Sequence, residues 1–120
     1  MTDDAKVLAH RMYEAFNTRD VAAAGTIFSA DFVSHPLGTT GVESVMNAWA
    51  GMHAAFPGLR IVVEDMLSDH DGVAVRTTLH GTPADEPPTM MEFFRVRHGR
   101  ITELWGLSTL APGPRFRPSP

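Results

Sequence analysis

The sequence predicts an α+β fold: helices first, then a curved, mainly antiparallel sheet wrapped against them as a conical half-barrel. Three observations predict it. Apolar residues recur at steps of three and four as far as Phe56, and from Leu59 the period becomes strand-like. Met90 to Thr109 then sets two runs rich in aromatic and branched residues on either side of His98-Gly99, the signal of a tight hairpin.

Residues Asp3 to Asn17 read as the first helix, with Leu8, Met12, Ala15 and Phe16 on one stripe. Thr2, Asp3 and Asp4 suit its start, because acids favour the positive end of the helix dipole. Asp20 can cap a second helix over Val21 to Phe28. Asp31 to Pro36 is a brief extended segment, since the residue before a proline is pushed out of the helical region, and Leu37 to Gly41 is a loop. Thr40 and Glu43 have capping-box spacing ahead of Val42, Val45, Met46, Trp49, Met52 and Phe56, a third helix that Pro57-Gly58 stops. Strands follow over Leu59 to Met66 and Val73 to Gly81, joined by a turn at Ser68 to Gly72. Thr82 to Thr89, with three prolines, is an exposed loop. One domain is expected over residues 1–110, and residues 111–120, with four prolines, form an irregular tail. Helices under a curved sheet leave a cone whose mouth suits a small-molecule ligand.

With 120 residues the chain can bury a core without covalent staples. It has no cysteine, which excludes disulfides, thiolate metal sites and cysteine nucleophiles and fits a reducing cytoplasm. A net charge of −4 would work against contact with phosphate, so no nucleic-acid partner is expected. No apolar run approaches the roughly 20 residues that span a bilayer, and Met-Thr-Asp-Asp lacks the positive charge of a signal peptide. A cytoplasmic protein without a membrane partner is the expectation.

With the turn at His98-Gly99, strict alternation pairs Val96 with Ile101, Phe94 with Glu103 and Glu92 with Trp105. One face then carries Met90, Glu92, Phe94, Val96, Ile101, Glu103, Trp105, Leu107 and Thr109. Two carboxylates among large apolar groups mean either a pocket lining or a wet edge, because a buried, unpaired carboxylate is costly. Glu92 is the first candidate for a general base: burial beside an aromatic ring raises a carboxyl pKa toward neutrality. The alternative is a structural ion pair with Arg76 or Arg95. Glu103 could share a proton with Glu92 or sit solvated at the rim. His35, fixed by Pro36, could act as acid, base or donor to a carbonyl. His80 and Arg76 share a strand face and could polarise an enolate, or face outward to solvent or a dimer contact. Trp49, Trp105, Phe94, Met90 and Phe32 could line an aromatic pocket, although Trp49 and Phe16 also suit plain core. His10, His53 and His98 read as surface residues. No two histidines stand in register with a carboxylate, so no metal site is expected.

Taken in order, several segments resemble the SnoaL-like polyketide cyclases of the nuclear transport factor 2-like superfamily. They are the two opening helices, the extended segment ending in His35, Ala55-Phe56-Pro57, Glu64-Asp65, Val73-Ala74-Val75-Arg76, Pro87-Pro88-Thr89, Phe94 to Ile101 and Glu103-Leu104-Trp105. The resemblance implies a conical α+β barrel, usually a homodimer, with a hydrophobic pocket and no metal or organic cofactor. It also implies acid-base ring closure of a polyketide-like carbonyl compound, or isomerisation. Relatives on the same fold open epoxides or only bind ligands. The chain departs from the family pattern at Thr109, where an acid often stands four residues after the strand Trp, and a hydroxyl of ordinary pKa cannot replace a carboxylate as base.

Overall fold

The computed structural model describes residues 4–110. Helix α1 (Asp4–Asn17) is followed by a 3₁₀ turn (Val21–Ala23), the one-turn helix α2 (Ala24–Ile27), strands β1 (Phe28–Ser34) and β2 (Thr39–Thr40), and helix α3 (Val42–Ala55). Four strands complete the chain: β3 (Arg60–Asp69), β4 (Gly72–His80), β5 (Thr89–Arg97) and β6 (Arg100–Ser108). They form one sheet in the order β2-β1-β6-β5-β4-β3, antiparallel except where β1 lies parallel to β6. The expected α+β class holds. The cap at Thr2 and Asp3 and the tail at 111–120 lie outside the described residues.

Local differences have local causes. The expected second helix breaks into a 3₁₀ and an α turn, and Phe28 already belongs to β1. Thr39 and Thr40, expected as loop, pair with Ser34 and Val33. The capping box does not form. Gly41, with φ +88°, caps α3 without a side-chain bond, Thr40 being held in β2. The hydroxyl of Ser44 instead donates to Gly41 O at 2.7 Å.

The core lies between the helices and one face of the sheet. Val73, Val75, Thr77 and Leu79 of β4 are buried, as their alternation predicts, together with Phe94 of β5 and Ile101 of β6. From α1, Leu8, Met12, Ala15 and Phe16 are buried, with Ala5, Ala9 and Tyr13 beside them. Phe16, Phe28 and Trp49 pack edge to face, at 5.7 and 5.9 Å from the Trp49 ring. His53, expected at the surface, ties α3 to α1. Its Nε2 donates to Phe16 O at 2.8 Å, and its Nδ1 accepts from Arg19 at 3.0 Å.

Besides a register shift between Phe28 and Val33 where β1 meets β6, irregularities in β3 and β6 shape the sheet. In β3 the extra residue is Glu64, between the pairs Val63↔Thr77 and Asp65↔Arg76. In β6 it is Thr102, between Ile101↔Val96 and Glu103↔Arg95, and its hydroxyl donates to Arg95 O at 3.2 Å. A bulge of this kind adds twist and bend, and shifts every pair beyond it by one residue. The hairpin turn itself is as expected: His98 and Gly99 both have positive φ, 53° and 74°, as a type I′ turn requires.

At the end where β4 leaves the sheet, Gly81 has φ +90°, and a Cβ there would collide with the carbonyl oxygen of Gly58. Backbone meets backbone, so neither can yield. Replacing Gly81 with Ala is expected to destabilise the fold by on the order of 2–4 kcal/mol. Gly51→Ala, in open space within α3, should instead stabilise by about 0.5–1 kcal/mol. Urea unfolding of both variants checks the pair.

Candidate functional site

The Thr102 bulge decides which side chains share a face. The expected partner of Glu92 was Trp105; the observed one is Gly106, and Phe94 faces Leu104 rather than Glu103. Trp105 instead pairs with Phe93, and Glu103 with Arg95. Glu92 therefore projects to the helix-covered face with Phe94 and Met90, while Glu103 and Trp105 project to the opposite, outer face. No proton can be shared between Glu92 and Glu103 across the sheet.

On the inner face, Glu92 sits between Val75 of β4 and Gly106 of β6. The Tyr13 hydroxyl of α1 donates to its Oε1 at 2.7 Å, and the Tyr13 ring packs edge-on against Phe94 at 6.1 Å. Burial pushes the Glu92 carboxyl up to about 7, against a smaller downward pull from the Tyr13 bond. Burial, and after it the neighbouring Glu92 charge, holds the Tyr13 phenol well above its ordinary value, so it stays a donor. Among the described residues no arginine pairs with Glu92. Arg76 pairs with Asp65 at 2.6 Å, and Arg95 with Asp71 at 3.0 Å. The Arg95 bond holds Asp71 below its usual range.

The other candidates divide by face. Phe32, Trp49 and Phe94 lie inside, all buried as core, and Met90 is half-buried beside Glu92. His35, Glu103, Trp105, Arg76 and His80 lie on the outer face. There His35 Nε2 donates to Glu103 at 3.0 Å, and its ring stacks on Trp105 at 4.5 Å and 11°. The ring of Phe93 lies 5.8 Å beyond Trp105, under the guanidinium of Arg95. His80 bonds to Thr78 at 3.0 Å. Thr109 closes the β5–β6 ladder: its N–H donates to Thr89 O, and its hydroxyl accepts from Thr89 N, both at 2.9 Å.

A cleft of about 930 Å³ opens at the same end of the sheet, between Phe56 just after α3, the proline-rich loop around Pro87 and Pro88, and Thr109. Glu92 does not line it; Met90, two residues nearer that end of β5, lies on the Glu92 face. Among the described residues no cluster of three His, Asp or Glu converges to hold a metal ion, and no helix is long and apolar enough to cross a membrane.

Tyr13 and Gly106 were not singled out from the sequence. Tyr13 stands four residues after Ala9 and three before Phe16, on the buried stripe, and a glycine inside a strand marks a close approach or a gap.

Residues 9–104 match the SnoaL-like domain. The chain belongs to this family. Among solved structures it resembles IdmH, a candidate polyketide cyclase from Streptomyces antibioticus, at 28% identity and a TM-score of 0.79 over 88% of this chain and 91% of that one. A loop-truncated IdmH is 30% identical, with a TM-score of 0.76 over 88% and 92%. A candidate polyketide cyclase from Bacillus cereus is 25% identical, with a TM-score of 0.78 over 88% and 74%. No functionally curated protein matches the chain. The SnoaL-like domain thus carries its inward carboxyl on β5, and its position 109 serves the strand ladder.

The raised Glu92 pKa has a signed effect on stability. The folded state holds the Glu92 proton more tightly than the unfolded chain does, so this contribution is full below about 4.5 and is lost as pH rises through about 7. Glu92→Gln removes the titration. From pH 4.5 to 8 wild type should lose roughly 2 kcal/mol relative to the variant, each pKa unit being about 1.4 kcal/mol before partial exposure is discounted. Urea unfolding of both proteins at each pH checks it.

Proposed function

We propose that this SnoaL-like domain is a cofactor-independent cyclase or isomerase that uses Glu92 as acid and base on a hydrophobic, polyketide-like carbonyl compound. One observation carries the reading: a carboxyl poised near neutrality, on an apolar face, held by a buried phenol. A base works best when its pKa lies near the working pH. Ionised Glu92 removes a proton from the carbon next to a carbonyl; the C–H electron pair forms the enolate, which attacks a second carbonyl of the same molecule. The new alkoxide then takes the proton back. Arg76, His80 and Trp105, on the outer face, are not available to the enolate, and the epoxide-opening alternative loses its second acid because Glu103 faces outward. A non-catalytic ligand-binding module remains the outcome if no proton transfer is found. Zero cysteines accord with a cytoplasmic setting.

We further propose a homodimer packed through the outer face. Leu67, Ala74, Phe93 and Trp105 form a row across it through their cross-strand pairs, beside Met91 and Leu107. Leu107 is 81% exposed and Leu67 73%, while the flanking Arg76 and Arg95 are neutralised within the chain by Asp65 and Asp71. A face with its charges already paired and an apolar centre suits a second copy of itself.

β-Tetralone, a benzylic ketone with acidic α-protons, tests the chemistry. Wild type should catalyse exchange of those protons in deuterium oxide, followed by proton NMR, and Glu92→Gln should slow it at least about 100-fold with an unchanged circular dichroism spectrum. Full exchange in the variant removes Glu92 from the mechanism. For the dimer, Leu107→Arg should convert a dimeric sedimentation profile to a monomeric one; a monomeric wild type contradicts it.

A further inference from the structure

The two oxygens of the Glu92 carboxylate have different surroundings. Oε1 accepts from Tyr13 at 2.7 Å. Oε2 has no hydrogen-bond partner among the described residues and faces Gly106 across the strand pair. A Cβ built on Gly106 would stand 3.8 Å from Oε2 and 3.4 Å from Glu92 Cγ. Gly106 is not among the residues with positive φ, so no turn or strained backbone demands glycine there. Those contacts are also ordinary van der Waals distances, so an alanine would fit. Within a strand, alanine in place of glycine should if anything be stabilising. The glycine therefore costs stability and leaves the room of one methyl group, bordered by the Glu92 oxygen that accepts no hydrogen bond among the described residues.

We propose that Gly106 is the seat of the reacting carbon: the room left by its missing side chain holds the substrate's α-carbon against Glu92 Oε2, while Tyr13 fixes Oε1. The seat rests on the reading of Glu92 as base and adds where the substrate lies. It selects a flat substrate at the reacting centre, a planar ketone or its enol, because the floor is bare backbone between two strands. In the step, the α C–H bond breaks and its proton passes to Oε2. The electron pair enters the new carbon–carbon double bond, and the carbonyl π pair moves to oxygen. Tyr13 is a positioning residue that acts through Glu92. Its phenol is the titratable group that meets this carboxyl, and its hydrogen bond draws the carboxyl pKa down.

The test compares wild type, Gly106→Ala, Tyr13→Phe and Glu92→Gln, with three readouts: thermal unfolding, α-proton exchange of β-tetralone in deuterium oxide, and binding of β-naphthol as a planar enol mimic, followed by NMR titration. Gly106→Ala should melt at or above the wild-type temperature, yet lose about tenfold or more in exchange and in β-naphthol affinity, because a methyl group then fills the seat. Glu92→Gln should lose exchange but keep β-naphthol. Tyr13→Phe should keep exchange at high pH, with the midpoint of its pH profile moved upward from wild type; a purely structural Tyr13 would leave that midpoint in place. Wild-type exchange and binding in a stably folded Gly106→Ala overturn the seat and leave Glu92 as base. Full exchange in Glu92→Gln overturns the base, and the seat with it.

Discussion

The hydrogen bond from Tyr13 to Glu92 joins the first helix to the fifth strand, residues 79 apart in sequence, and the character of the inner face depends on it. A carboxylate on an apolar face is costly to ionise, while a charged hydrogen bond returns roughly 1.5–3 kcal/mol. Burial raises the pKa and the phenol restrains it, and the balance falls near neutrality. Without the phenol, the Glu92 carboxyl would titrate higher still. With an arginine in its place, it would be a permanently charged ion pair with little basicity, the condition in which the structure keeps Asp71.

The second constraint is the Thr102 bulge. One extra residue in β6 turns Gly106 rather than Trp105 toward the partner position of Glu92, and so separates the two faces by function. Inside are the Glu92 carboxyl, the Tyr13 phenol and Gly106. Outside, a row of rings runs from Arg95 and Phe93 to Trp105 and His35. Gly72 serves that row, since a Cβ there would meet the Phe93 ring at 2.6 Å.

Much of the fold was legible in sequence because its periods are strong. The stripe through Leu8, Met12 and Phe16, the alternation of Val73 to Leu79, and the turn at His98-Gly99 each follow from local geometry. The choice of Glu92 also rested on a local contrast, a carboxyl among apolar residues in mid-strand. Its surroundings were not legible. Nothing in Ile101-Thr102-Glu103 signals a bulge, and strict alternation across it put Glu103 and Trp105 on the wrong face. Tyr13 could be placed on the buried stripe of α1, but its reach to β5 is a tertiary fact. His35 and Glu103 do meet, at 3.0 Å, though on the outer face rather than in the cone.

The most direct measurement of the central claim is a titration of the Glu92 side-chain carboxyl by carbon-13 NMR. It is made on the folded protein, with Glu92→Gln used to assign the resonance. A midpoint near 7 is the result expected of a desolvated carboxyl restrained by one phenol. A midpoint near the ordinary glutamate value of 4.5 would mean that water reaches the carboxylate freely, and would contradict the acid-base site.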